Sequence, residues 1–279
     1  MKDNHTEKNA GATLKVRLLA CTPEPEKLVA AAAKFCYSKS GVDEIWDGLD
    51  EAGVTSYVEM ISELGHASVT EHASFTFGIE GVSRSLLAEL TRHRIASYSV
   101  KSQRYVREAM FEYVVPPQIA QNEEAAREFT AAMEEDQRHY DRIRALLQEQ
   151  HKARLMAEGL EEKEAISKAG KLANEDARFV LPNACTTKIL LTMNCRSLFH
   201  FFELRCCNRA QWEIRALALE MLRQVLQKAP HVFAGAGPGC VRGACPEGKM
   251  SCGKAREVRA FYAKLHEDAQ NGALAKGDS

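Results

Sequence analysis

Residues 92–104 read Arg92-His93-Arg94-Ile95-Ala96-Ser97-Tyr98-Ser99-Val100-Lys101-Ser102-Gln103-Arg104. Three arginines, a lysine, an imidazole and three serines crowd a stretch too short to be a fold element of its own. Guanidinium forks match phosphate and carboxylate geometry and stay charged at any biological pH. With serine hydroxyls beside them, they suit a nucleotide better than a neutral ligand. The competing reading is a solvated basic helix end. Upstream, Ser85, Leu86, Leu87 and Leu90 give an apolar helical face running straight into Arg92, so the cluster sits at the end of a core helix. Cations there are favourable with the helix dipole, which explains Arg92, His93 and Arg94 without a ligand. It does not explain Ser97, Ser99 and Ser102.

Outward from this stretch, Tyr98 to Val115 is rich in Tyr and Val and closes on Pro116-Pro117, an irregular crossing followed by a short extended segment. Residues 13–19 alternate as an edge strand, and 26–37 form an Ala-rich helix after two prolines. Apolar residues at helical spacing run from Val54 to Leu64 and stop at Gly65, a helix terminator that leaves His66 to Glu71 in a loop before the extended Phe75-Thr76-Phe77. A long charged amphipathic helix is expected over 118–160, a second over 162–178, a strand over 186–192 and a long helix, broken once, over 197–228. The fold class is therefore α+β: a small mixed or antiparallel sheet packed with long helices in a single domain. Residues 1–12 read as a flexible leader, 13–235 as the domain and 236–279 as a Cys- and Gly-containing extension whose last dozen residues fray.

The chain has 279 residues, 45% hydrophobic and 27% charged, enough for one sizeable core. Its 37 basic and 38 acidic residues nearly cancel, so a general attraction to nucleic acid or membrane is not expected and anion binding must be local. No apolar run reaches membrane-span length, and the first eleven residues lack the apolar core of a signal peptide, so a cytoplasmic protein is expected. Nine cysteines, an odd number in helical surroundings, read as thiols rather than a disulfide framework. Cys240, Cys245 and Cys252 lie in a Gly-rich segment with His231 nearby, which leaves a zinc site and a reduced thiol loop both open; the reading adopted is no metal.

Arg92, His93, Arg94 and, seven residues later, Ser102 match the Arg-His-Arg signature of the flavin-dependent thymidylate synthases. Gly65-His66-Ala67-Ser68-Val69-Thr70-Glu71-His72 resembles that family's Gly-His loop. Asn194-Cys195-Arg196-Ser197-Leu198 through Leu204-Arg205 and Ala210 to Ile214 resembles its nucleotide-binding helix. The resemblance spans roughly residues 13–233. It implies an enzyme that reductively methylates dUMP to dTMP, with methylenetetrahydrofolate giving the carbon and FADH2 the hydride. NADPH re-reduces the FAD, and the sites lie at the subunit interfaces of a homotetramer. By position it implies that Ser68, Arg92, His93, Arg94, Val100, Asn194, Cys195, Arg196 and His200 contact FAD. Glu89, Arg92, Val100, Lys101, Ser102, Gln103, Arg104, Arg178 and Arg205 contact dUMP. Residues 92–94 then face the flavin and 102–104 the pyrimidine nucleotide. His66 and Glu71 are flavin-side or folate-side loop residues. Arg205 is the catalytic candidate, its guanidinium stabilising negative charge as uracil N3 ionises.

Arg196 and His200 are four apart and share a helical face, as would Arg205 and Arg209. Arg196 and Arg205 are nine apart, about half a turn out of phase, so they point to opposite sides. The chain departs from the family at Ser99-Val100, where Asn-Glu is frequent and backbone contacts must suffice, and at Glu89, where Gln is frequent. His200 stands where some members have Asn, and Arg209 where some have His. A carboxylate at 89 would repel a phosphate unless it meets a sugar hydroxyl or an arginine. A non-catalytic nucleotide- or RNA-binding protein using the same basic loop is the alternative reading.

Overall fold

The computed structural model describes residues 11–274, so most of the expected leader and the last five residues lie outside the described residues. In chain order the elements are β1 (Lys15–Cys21), α1 (Pro25–Tyr37), α2 (Val42–Asp47), α3 (Glu51–Leu64), a 3-10 turn (Ala67–His72), β2 (Ser74–Ser83), α4 (Arg84–Leu90), β3 (Ser97–Val100), α5 (Pro117–Ala120), α6 (Glu123–Ala157), α7 (Glu162–Ala177), β4 (Thr186–Asn194), α8 (Cys195–Arg205), α9 (Trp212–Leu226) and α10 (Ala255–Gln270). The strands form one antiparallel sheet in the order β1-β2-β4-β3, so the fold is α+β as the sequence implied. Among the described residues no helix is long and apolar enough to cross a membrane.

Contacts divide the described residues into two compact units: residues 11–14, 80–88 and 100–188, and residues 15–79, 89–99 and 189–274. In the first, α6 and α7 run as a hairpin. Ala165, Ala169, Ala173 and Ala177 recur every fourth residue and are fully buried, which brings this face of α7 close to its neighbour. The expected helix over 118–160 starts late because Asn122 caps α6, its side-chain oxygen accepting from the Glu124 and Ala125 amides at 3.1 Å. Gly81 here has φ 72°, and a Cβ on it would lie 1.9 Å from the Thr13 carbonyl oxygen.

In the second unit β2 alternates so that Phe75, Phe77 and Ile79 turn inward, and Leu191 and Met193 of β4 join Leu198, Phe201, Phe202 and Phe233 in the core. Gly65 ends α3 with φ 69°, a left-handed cap that any side chain would strain. The segment after it is a 3-10 turn rather than the expected open loop. Edge strand β1 is covered by α9: the Gln224 side chain donates to the Val16 carbonyl at 2.9 Å and accepts from the Leu18 amide. The expected fraying of the last dozen residues is contradicted in part, since α10 continues to Gln270 with Val258, Tyr262, Leu265 and Ala269 buried along one face.

Candidate active site

The basic stretch divides between the two units, residues 92–99 in the second and 100–104 in the first. In the second unit α4 ends at Leu90, and the turn after it presents Arg92 and Arg94 to solvent, with no carboxylate paired to either among the described residues. Tyr98 fixes this turn. Its half-buried hydroxyl lies 2.9 Å from the Leu90 carbonyl and 2.8 Å from that of His93, one O–H shared between two acceptors. Burial pushes the phenol up to about 12, so it donates at any physiological pH.

His93 turns inward, its ring edge-on to Phe201 at 5.0 Å and to His200 at 6.0 Å. Arg205, the last residue of α8, donates from Nε to His93 Nε2 at 3.1 Å and from Nη1 to Glu89 Oε2 at 3.1 Å. Burial, then the Arg205 guanidinium and then His200 lower the imidazole to about 4. His93 is therefore neutral at physiological pH, and because Nε2 accepts, its proton sits on Nδ1. Glu89 meets the arginine that resolves its repulsion problem.

On the other side of α8, Arg196 pairs with Glu71 of the 3-10 turn. The half-turn separation of Arg196 and Arg205 thus appears as two different sets of partners. Arg209 does not share a helical face with Arg205: α8 stops at Arg205, and Arg209 turns to Glu247, 3.2 Å away, and to the Met250 carbonyl. Asn194 caps α8, accepting from the Ser197 amide at 2.9 Å, and Cys195 is buried behind it with its amide on the Ala73 carbonyl. A cavity of about 240 Å³ opens beside Arg196 and His200 and is also lined by His66 and Phe199. Ser68 lines a hollow of about 400 Å³ that shares Gly65, His66 and Arg196 with it.

The first unit holds the other candidates. Val100 closes β3. Lys101 donates its amide to the Lys188 carbonyl and its ammonium to the buried Glu108 at 2.8 Å. The Ser102 hydroxyl accepts from the Arg104 amide at 3.3 Å, and Gln103 is buried, its amide directed at the Cys185 sulfur at 3.5 Å. Arg104 bonds the Glu175 carboxylate at 2.9 and 3.0 Å, while Arg178 bonds the Glu175 carbonyl at 3.1 Å, so one residue gathers both guanidiniums. Sequence reading missed Glu175 and Tyr98; neither carries a motif, although a tyrosine inside a basic turn is a usable cue.

All nine cysteines are free thiols. Burial lifts Cys195 and Cys206 to about 12, which removes their thiolates as nucleophiles. Cys240, Cys245 and Cys252 hold no arrangement fit for a metal: among the described residues no three ligating side chains are so placed.

A family model described as thymidylate synthase complementing protein matches residues 17–231. A flavin-dependent thymidylate synthase of Clostridium tetani is 52% identical over 249 residues, 89% of this chain and 97% of its own. That of Geobacter sulfurreducens is 50% identical over 254 residues, 90% of this chain and 99% of its own. The fold is shared with the UMP/dUMP methylase PolB of Streptomyces cacaoi, solved with 5-Br dUMP, at a TM-score of 0.62 and 22% identity over 81% of this chain and 97% of that one.

Proposed function

Since this chain belongs to the flavin-dependent thymidylate synthase family, we propose that it converts dUMP to dTMP with methylenetetrahydrofolate as carbon donor and NADPH as the source of reducing equivalents. FAD is the cofactor in this reading; when bound it carries the hydride from NADPH to the transferred carbon. The residues suit an anionic dinucleotide. Arg92 and Arg94 are solvent-facing guanidiniums without a carboxylate among the described residues, and Arg196, His66 and His200 line one cavity.

The observation that carries the reading is the fixed guanidinium of Arg205. Glu89 and a neutral His93 occupy Nη1 and Nε, which aims the side chain and spares it the entropic cost of ordering on binding. Held against the uracil edge, the positive charge stabilises the anion that forms as N3 ionises and enriches C5 in electrons. Glu89 serves as the positioning carboxylate for Arg205 rather than a phosphate contact. Ser102, Gln103, Arg104 and Arg178 bind the phosphate and sugar of dUMP, Glu175 ordering both arginines. The enzyme acts as a homotetramer in the cytoplasm, with its sites at subunit interfaces.

The test is optical. Purified protein, as isolated or reconstituted with FAD, is expected to show a flavin spectrum that NADPH bleaches faster when dUMP is present. Protein that takes up no flavin would overturn the reading.

A further inference from the structure

Arg242 lies outside the residues matched by the family model, yet it lines the cavity that also holds Arg196, His200 and His66. Three features place it. Its aliphatic stem lies against Gly235, where an added Cβ would meet Cγ and Cδ at 3.6 Å. The guanidinium carbon stands 5.8 Å from the centroid of the Phe199 ring. Arg259 of α10 donates to the carbonyls of Cys240 at 2.7 Å and Gly243 at 2.6 Å, which pins the backbone on both sides of Arg242.

What Arg242 does at the cavity is not explained by its one carboxylate neighbour among the described residues. Glu203 is 3.7 Å away, beyond a good hydrogen bond, and both side chains are substantially exposed, so the pair is weak. Arg196 on the same wall is already paired with Glu71, so Arg242, only loosely held by Glu203, is the guanidinium left to meet an anion beside the imidazoles of His66 and His200. Such a wall favours an anion that displaces Glu203 from Arg242.

We propose that Arg242 is a ligand-binding residue of this cavity, gripping a phosphate or carboxylate of a cofactor or cosubstrate bound there; this rests on the function proposed above. The shared chemistry is a group of anionic oxygens, supplied either by the pyrophosphate of FAD or NADPH or by the glutamate carboxylates of the folate.

The experiment compares full-length wild type, Arg242→Gln and Arg242→Lys. The FAD dissociation constant is read from flavin fluorescence, and KM for methylenetetrahydrofolate and for NADPH is measured at saturating FAD. The expected result for Arg242→Gln is a weakening of about tenfold to a hundredfold for one of these ligands, with kcat within about twofold and Arg242→Lys between the two. The ligand affected identifies the source of the anion. All three constants within about twofold of wild type would overturn the assignment. Should Arg242→Gln fold poorly, Glu203→Gln decides: releasing Arg242 is expected to tighten the same ligand at least about twofold, and unchanged binding would overturn the proposal. Wild-type protein that neither binds FAD nor turns over would instead be a failure of the functional reading itself.

Discussion

Replacing Arg205 by Gln removes the charge that links Glu89 and His93 and that, in the function proposed above, faces the substrate base, so three quantities should move together. The Arg205–Glu89 contact is 3.1 Å long between side chains only 19% and 31% exposed, and a hydrogen bond to a charged group of this kind contributes about 1.5–3 kcal/mol. Glu89 keeps enough accessibility to rehydrate, which argues for the lower half, about 1.5–2 kcal/mol. For a chain of this size that lowers Tm by about 3–8 °C. Turnover should fall far more steeply. Loss of a preorganised donor to developing negative charge costs about 10²–10³ in kcat, or about 2.7–4 kcal/mol of transition-state stabilisation. The third quantity is the His93 titration. Arg205 is the second cause of its depression to about 4, after burial, so Arg205→Gln should raise it without restoring the ordinary value. Thermal melting, initial rates of dTMP formation and ring-proton NMR against pH read the three. The variant should keep its flavin. Wild-type turnover would refute the charge role of Arg205, and an unmoved His93 would refute the coupling.

Three further outcomes follow from the geometry. Gly81→Ala puts a Cβ 1.9 Å from the Thr13 carbonyl at φ 72°, so chemical denaturation should show a loss of at least about 2–3 kcal/mol. Gln224→Leu strips two backbone partners from the edge of β1 and should cost about 1–3 kcal/mol by the same measurement. His93 has a folded-state pKa below its unfolded 6.5, so the unfolded chain binds the proton first. Its contribution to stability is present above about pH 6.5 and is lost as pH falls toward about 4, and His93→Gln should flatten the decline of Tm across that window.

Local signals in the sequence located most elements. Gly65 ended α3 because few residues but glycine accept the left-handed cap, and the three-four spacing of apolar residues was enough to find α6, α7 and α9. The half-turn offset of Arg196 and Arg205 was legible because helix geometry fixes it. Their partners were not: Glu71 and Glu89 lie more than a hundred residues away, and no spacing rule reaches across such a separation. The 3-10 turn after Gly65 escaped for a related reason, since its length is set by packing against α1 and α8. Nothing in the sequence separates Arg209 from α8, because the turn at Cys206–Ala210 carries neither Gly nor Pro to announce it. Glu175 and Arg242 matter only through what the fold brings beside them.

The most direct measurement supplies purified protein, first stripped of any bound flavin, with dUMP, methylenetetrahydrofolate, NADPH and FAD and follows thymidylate by chromatography, leaving out one component at a time. The account predicts dTMP in the full mixture and none when FAD, NADPH or the folate is omitted. Flavin-loaded protein that forms no dTMP in the full mixture, or that forms it equally well without flavin, would contradict it.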